Sequence, residues 1–305
     1  AAGPAPGDLP RWVSRIGHRD VETSPRSNPR NLCNLRKASD SMLGIYRAFM
    51  RIELVTQFQY RAAMAIWMIS RILEPVIYVV VWSTVARAQG GSVGGRTPED
   101  FAAYYIVLMV VNQLTFTWIM HEFEFRVRTG SLSALLLKPV HPIHQDIASN
   151  VAYKIITVII LVPAALVMTF LFDPAFTFSI RSALLFVPSL VLAFLTRFFL
   201  EWTLALAAFW TTRVAAINQV YFVLGLFLSG RIAPTGLLPD WARTLADILP
   251  FKWTLAFPTE LMLGTLSPAD VQNGFAALGF WLIASTIVLK FVWARGVKAY
   301  SAVGS

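Results

Sequence analysis

Cysteine is almost absent: Cys33 stands alone among 305 residues, which excludes an intramolecular disulfide and any cysteine-based metal cage. Charge is also scarce. Only 14% of residues are Asp, Glu, Lys or Arg, against 56% apolar, where a soluble domain carries about 25% charged residues. Histidine occurs four times. The one close pair, His141 and His144, is interrupted by Pro142 and has no carboxylate or cysteine cluster to complete a set, so it reads as part of a solvated loop, not as metal ligands. No Ser/His/Asp or G-x-S-x-G arrangement appears, and Glu260 and Asp240 read as surface carboxylates rather than catalytic ones. GGSVGGRT at 90–97 has the outline of a phosphate loop, but it lacks the lysine and follows an apolar run in place of a buried strand. It is rejected as a nucleotide site.

What the chain has in quantity is apolar sequence. A mean hydropathy of +0.59 and 13% aromatic residues mark an integral membrane protein. Its length accommodates about six spans of roughly 20 residues each in one polytopic domain. The net charge of +9 comes from basic residues at the chain start and beside apolar runs. Topology accounts for that placement better than nucleic acid does.

Residues 1–41 are rich in Arg, Pro, Ser and Asn and contain no apolar core, so they are expected to be a disordered tail or an extension, with the native chain starting near Met42. From 42 to 59, Ile45, Phe49 and Ile52 face one way and Arg47 and Arg51 another, predicting a helix lying at the interface. Spans are expected at about 62–87, 101–120, 147–172, 183–211, 215–229 and 271–293; the fifth is short for a crossing. Asp173-Pro174 should end the third. Residues 231–268 carry five prolines and amphipathic fragments, which predicts external re-entrant or surface-lying helices packed on the bundle. On this layout eighteen Lys and Arg lie on the side of the termini and six on the other, or eleven against six without the tail. Both termini are therefore expected in the cytoplasm.

Two charge pairs fall inside spans: Arg71 with Glu74, and Arg197 with Glu201. Each intramembrane charge costs at least ~2.5 kcal/mol, so the four should pair, and both spacings allow pairing within one helix. They line a translocation path or a subunit contact, or they are structural pairs buried in the bundle. The loop GSLSALLLKPVHPIH at 130–144 predicts a short helix capped by Ser131, with Leu132, Leu135 and Leu136 on one face and Lys138-Pro139 ending it. Such a face needs a cover: a partner protein, the membrane surface or the chain's own bundle.

Residues 229–267, SGRIAPTGLLPDWARTLADILPFKWTLAFPTELMLGTLS, followed after one span by RGVKAYSAVGS, resemble the ABC-2 type permease family, and within it bacterial exporter permeases of the viologen-exporter kind. The 130–144 loop resembles that group's first cytoplasmic loop. Together the likeness covers 42–305. It implies six transmembrane helices and external re-entrant helices, which with the N-terminal interfacial helix read at 42–59 make an all-α polytopic membrane protein. It also implies a second permease subunit, identical or related, and separate cytoplasmic ATPase subunits that bind ATP and Mg, leaving this chain without a cofactor. The loop becomes a coupling helix seated in the ATPase, with Leu132, Leu135, Leu136 and Lys138 as contacts. The implied protein is a permease subunit of an exporter in the inner (plasma) membrane, among membrane lipids; its aromatic and aliphatic composition suits a hydrophobic or amphiphilic substrate, although core packing gives the same composition. One rival, a secondary transporter, needs ionisable groups within the spans and internal repeats; the two pairs are its only candidates and no repeat is seen. A lipid-modifying membrane enzyme needs a nucleophile or metal set that the sequence does not offer.

Overall fold

The computed structural model describes residues 42–211 and 214–300. The 1–41 tail with Cys33, and the last residues of the terminal motif, lie outside them. Among the described residues the secondary structure is helical, with one isolated bridge between Val93 and Arg96. Five helical stretches are long and apolar enough to cross a membrane: Ala62–Ala88, Pro98–Arg128, Pro142–Phe172, Ile180–Phe209 and Pro268–Ala299. The protein is an all-α polytopic membrane protein. A sixth apolar helix, Val214–Leu228, has 15 residues. At 1.5 Å per residue it reaches roughly 22 Å, short of the ~30 Å hydrocarbon core.

The elements run α1 (Met42–Gln59), α2 (Arg61–Ala88), α3 (Pro98–Thr115), α4 (Ile119–Arg128), α5 (Leu132–Leu136), α6 (Pro142–Phe172), α7 (Ile180–Ala205), α8 (Val214–Leu228), α9 (Asp240–Ile248), α10 (Pro250–Thr254), α11 (Ala256–Met262) and α12 (Pro268–Ala299). On α1 the exposed apolar stripe is Ile52, Val55 and Phe58, one turn further along than the stripe read from Ile45, Phe49 and Ile52. α2 runs on through Pro75. α6 stops at Phe172 with Asp173 in the left-handed region, φ 43°, as the Asp-Pro pair suggests.

The centre of the bundle is α3. Its continuous run from Phe101 to Met109 is buried all round, as expected of a helix that is apolar on every face and surrounded by others. A capping box starts it: Thr97 Oγ1 accepts from the Asp100 amide and Asp100 accepts from the Thr97 amide, with Pro98 at the first helical position. The expected second span ended near Met120. Instead the helix breaks at Phe116–Trp118, resumes as α4 and continues to Arg128. Charge density after Met120 suggests a loop, but Arg126 is neutralised by Glu122 one turn back on α4 and by Asp146, which only the fold supplies.

Segments 229–237 and 90–97 close the end of the bundle opposite α5. Tyr104 and Tyr105 donate to the carbonyls of Gly230 (3.0 Å) and Ile232 (2.8 Å), and the Trp82 indole donates to Ile232 (2.7 Å). Gly230 has φ +88°, and a Cβ there would lie 2.4 Å from the Tyr104 hydroxyl. Glycine is therefore required on both backbone and packing grounds. α11 is buried from Ala256 to Leu261, whereas α9 exposes Trp241 and Ile248.

Candidate functional site

The loop helix α5 hangs from α4 by Gly130, whose left-handed φ of 74° ends α4. The Ser133 amide donates to the Gly130 carbonyl at 3.1 Å. Ser131 does not cap it. Its backbone is helical, φ −66° and ψ −16°, so its hydroxyl turns back toward Thr129 and the Arg126 carbonyl; capping needs an extended residue. Leu132 is 0% exposed and packs with Phe123, Phe198, Trp202 and Leu206, while Leu135 and Leu136 are half-buried against the same cluster. Of the three possible covers, the chain's own bundle is the one the leucine face meets, because a single helical turn lays its apolar stripe on the nearest apolar surface. What points outward is Leu137, 89% exposed, and Lys138 beside it. Ser133 meets the Tyr300 hydroxyl at 3.0 Å, tying α5 to the residue that follows α12.

That tie depends on close packing at Gly296. A Cβ there would sit 2.2 Å from the Phe209 ring, and the same ring packs edge-on against Tyr300 at 5.7 Å. Gly296→Ala is expected to lower stability by about 1–3 kcal/mol and to release Tyr300. Thermal unfolding in detergent checks it, with an unchanged midpoint as the contrary result.

Beneath α5, Arg126 is held by the buried Asp146 at 2.6 Å and by Glu122, and the Trp202 indole donates to the second Asp146 oxygen at 2.9 Å. His141 caps α6, its Nδ1 accepting from the Ile143 amide at 3.2 Å, and its ring lies 4.4 Å from Trp293. Burial, then the neighbouring His144, lowers the His141 pKa. That favours the neutral ring, as a nitrogen acting as acceptor requires.

Deeper in, the break in the second span creates a polar centre. Arg197 and Glu201 pair within α7 at 2.9 Å, as their i,i+4 spacing allows. Arg197 also donates to Asn112 Oδ1 (3.1 Å) and Thr115 Oγ1 (3.4 Å), and Glu201, 0% exposed, accepts from Thr117 and from Tyr221 at 3.4 Å. The carbonyl of Phe116, freed by the break, is taken by Lys154 Nζ at 2.8 Å. A broken helix at membrane depth is tolerated where side chains re-satisfy the backbone in this way. Arg71 lies over the Phe116 ring at 3.6 Å.

A family model described as ABC-2 family transporter protein matches residues 72–304. The chain belongs to the ABC-2 family. It is a membrane permease component of an ABC transporter, and its family is one of transmembrane subunits that partner ABC ATPase subunits. No curated protein matches the chain.

Two further ion pairs lie toward the opposite end of the ABC-2 permease. Arg71 and Glu74 do not pair with each other. Glu74 takes Arg231 from the segment before α9, through both carboxylate oxygens at 2.7 Å. Arg96 of the glycine-rich turn reaches Glu260 at 3.2 Å. Glu260 is not a surface carboxylate: it is 8% exposed, and burial raises its pKa while Arg96 opposes the rise. Asp240, by contrast, is exposed. The polar centre also contains Lys154, Asn112, Thr117 and Tyr221, which the sequence reading did not single out. Lys154 alone had a signal, a lone charge inside an apolar run.

Proposed function

We propose that this permease is the transmembrane subunit of an exporter driven by ATP hydrolysed on separate ATPase subunits, which bind ATP and Mg. In this reading α8 is the fifth of six spans, α1 lies at the interface, and the helices between α8 and α12 form the external exit. Both termini and α5 face the cytoplasm of a plasma membrane. A second permease subunit, identical or related, completes the pathway, and residues 42–305 act as one transmembrane domain preceded by the 1–41 tail. The substrate is hydrophobic or amphiphilic.

The observation that carries this reading is α5. Leu132 fixes it to the bundle, Tyr300 holds its side, and Leu137 with Lys138 projects where nothing in the described chain covers them. Closure of the ATPases would push on that projection, and Arg126, Asp146 and Trp202 beneath it would pass the displacement to α4, α6 and α7 as a rigid-body movement. The test is copurification from the native host with a tagged copy. Leu137→Asp places a charge in the contact and is expected to reduce recovery of the ATPase about tenfold or more, since one buried unpaired charge costs several kcal/mol, with insertion and expression unchanged. Wild-type ATPase recovery and transport by Leu137→Asp would remove α5 from the coupling role.

A further inference from the structure

Arg71 is a half-buried charge inside a span and, among the described residues, has no ionic partner. It sits nine residues into the Ala62–Ala88 span, roughly 14 Å along the helix, at a depth where a guanidinium costs at least ~2.5 kcal/mol. Among the described residues it forms no ion pair, and its guanidinium lies on the face of Phe116. The nearby carboxylates are engaged: Glu74 by Arg231 and Glu122 by Arg126. Arg71 and Phe116 instead line a cavity of about 250 Å³, walled by Trp67, Trp118 and Tyr153, with Asn150 supplying an amide; the one carboxylate in its lining, Glu122, has its charge taken by Arg126.

The shape of the cavity restricts what it can take. Its volume lies below that of a drug-sized pocket, so it holds a headgroup and the start of a chain, not a whole amphiphile. Trp67 and Trp118 meet edge-to-face at 5.4 Å and are both exposed, so the mouth opens sideways between apolar surfaces. A polar group on Arg71 can therefore sit inside while its hydrocarbon passes over the indoles into the bilayer. A neutral or cationic headgroup would leave the guanidinium uncompensated, whereas an anion gives it a charge-assisted, bidentate partner.

We infer that this cavity is a binding site for an amphiphile with an anionic headgroup, with Arg71 as the anion contact and Trp67 and Trp118 as the chain guide. The inference deepens the export reading by naming a substrate class. The same chemistry could be met by a resident anionic lipid.

Native mass spectrometry of the isolated full chain, released from micelles containing equal phosphatidylglycerol and phosphatidylcholine of matched chains, tests it. Wild type should retain phosphatidylglycerol about tenfold more than phosphatidylcholine, the scale of one charge-assisted hydrogen bond. Arg71→Gln should bring the two level, and Arg71→Lys should keep only part of the preference, since the charge stays but the bidentate fork is lost. Equal retention of the two lipids by wild type overturns the site, as does an undiminished preference in a folded Arg71→Gln. The wild-type competition decides the matter even if Arg71→Gln fails to fold. Where the preference is present, adding phosphatidylglycerol to the complex reconstituted with its ATPase identifies the source: stimulation of hydrolysis marks cargo and no stimulation a resident lipid, and both keep the site. Because binding is read on the isolated chain, its failure leaves the ATPase partnership intact, and loss of ATPase copurification leaves the lipid preference intact.

Discussion

Replacing Arg197 with methionine is expected to destabilise the permease by about 3–5 kcal/mol, the usual cost of removing one partner from a buried ion pair. Glu201 would be left fully buried with only the hydroxyls of Thr117 and Tyr221 as donors, and Asn112 and Thr115 would lose their shared donor. The damage should be largely reversed in Arg197→Met/Glu201→Gln, because glutamine keeps the shape and the hydroxyl contacts without the charge. Unfolding midpoints of the two variants in detergent separate the explanations. If the single variant is as stable as wild type, or the double variant is worse than the single, the pair does not anchor the break in the second span.

The second large effect is expected at Asp146. Asp146→Ala removes the buried anion that holds Arg126 and the acceptor of the Trp202 indole at once. Arg126 would keep only Glu122, whose side chain is 44% exposed. A loss of about 3–5 kcal/mol follows, together with loosening of the surface on which Leu132 rests. Asp146→Asn, which still offers an oxygen to the indole, should cost less, about 1–3 kcal/mol. Glu122→Gln, at a half-exposed pair, should cost under ~1 kcal/mol. Equal stability of Asp146→Ala and Glu122→Gln would show that Arg126 is anchored elsewhere.

Both positions show why the site was only partly legible. Arg197 and Glu201 announce themselves, because two opposite charges one helical turn apart in an apolar run have to find each other. Arg71 and Glu74 announce themselves equally well at i,i+3, yet Glu74 takes Arg231, 157 residues away. A local spacing permits a pair without selecting it, and the Arg231 segment, pinned by Tyr104, Tyr105 and Trp82, arrives with better bidentate geometry. Asp146 gave no signal at all. It stands near the start of an apolar helix where a carboxylate is unremarkable, and its importance comes from Arg126 and Trp202, which reach it from two other helices. Likewise Leu132, Leu135 and Leu136 show an apolar stripe, but periodicity cannot say whether a partner or the chain's own bundle covers it.

The sequence by itself determined that this is a helical, multi-pass membrane protein, roughly where its long apolar helices lie, though not that the second runs on from Met120 to Arg128, and, through its terminal motifs, its family. Those properties depend on hydropathy, period and proline placement, which are local quantities summed along the chain. Tertiary structure alone decided which charges pair, which leucine faces outward, that the second span is broken and repaired by Lys154, and that Arg71 is left facing a cavity. Each of these depends on which distant groups arrive at one point in a medium that offers no water as a substitute partner, so each is settled by packing and by no single stretch of sequence.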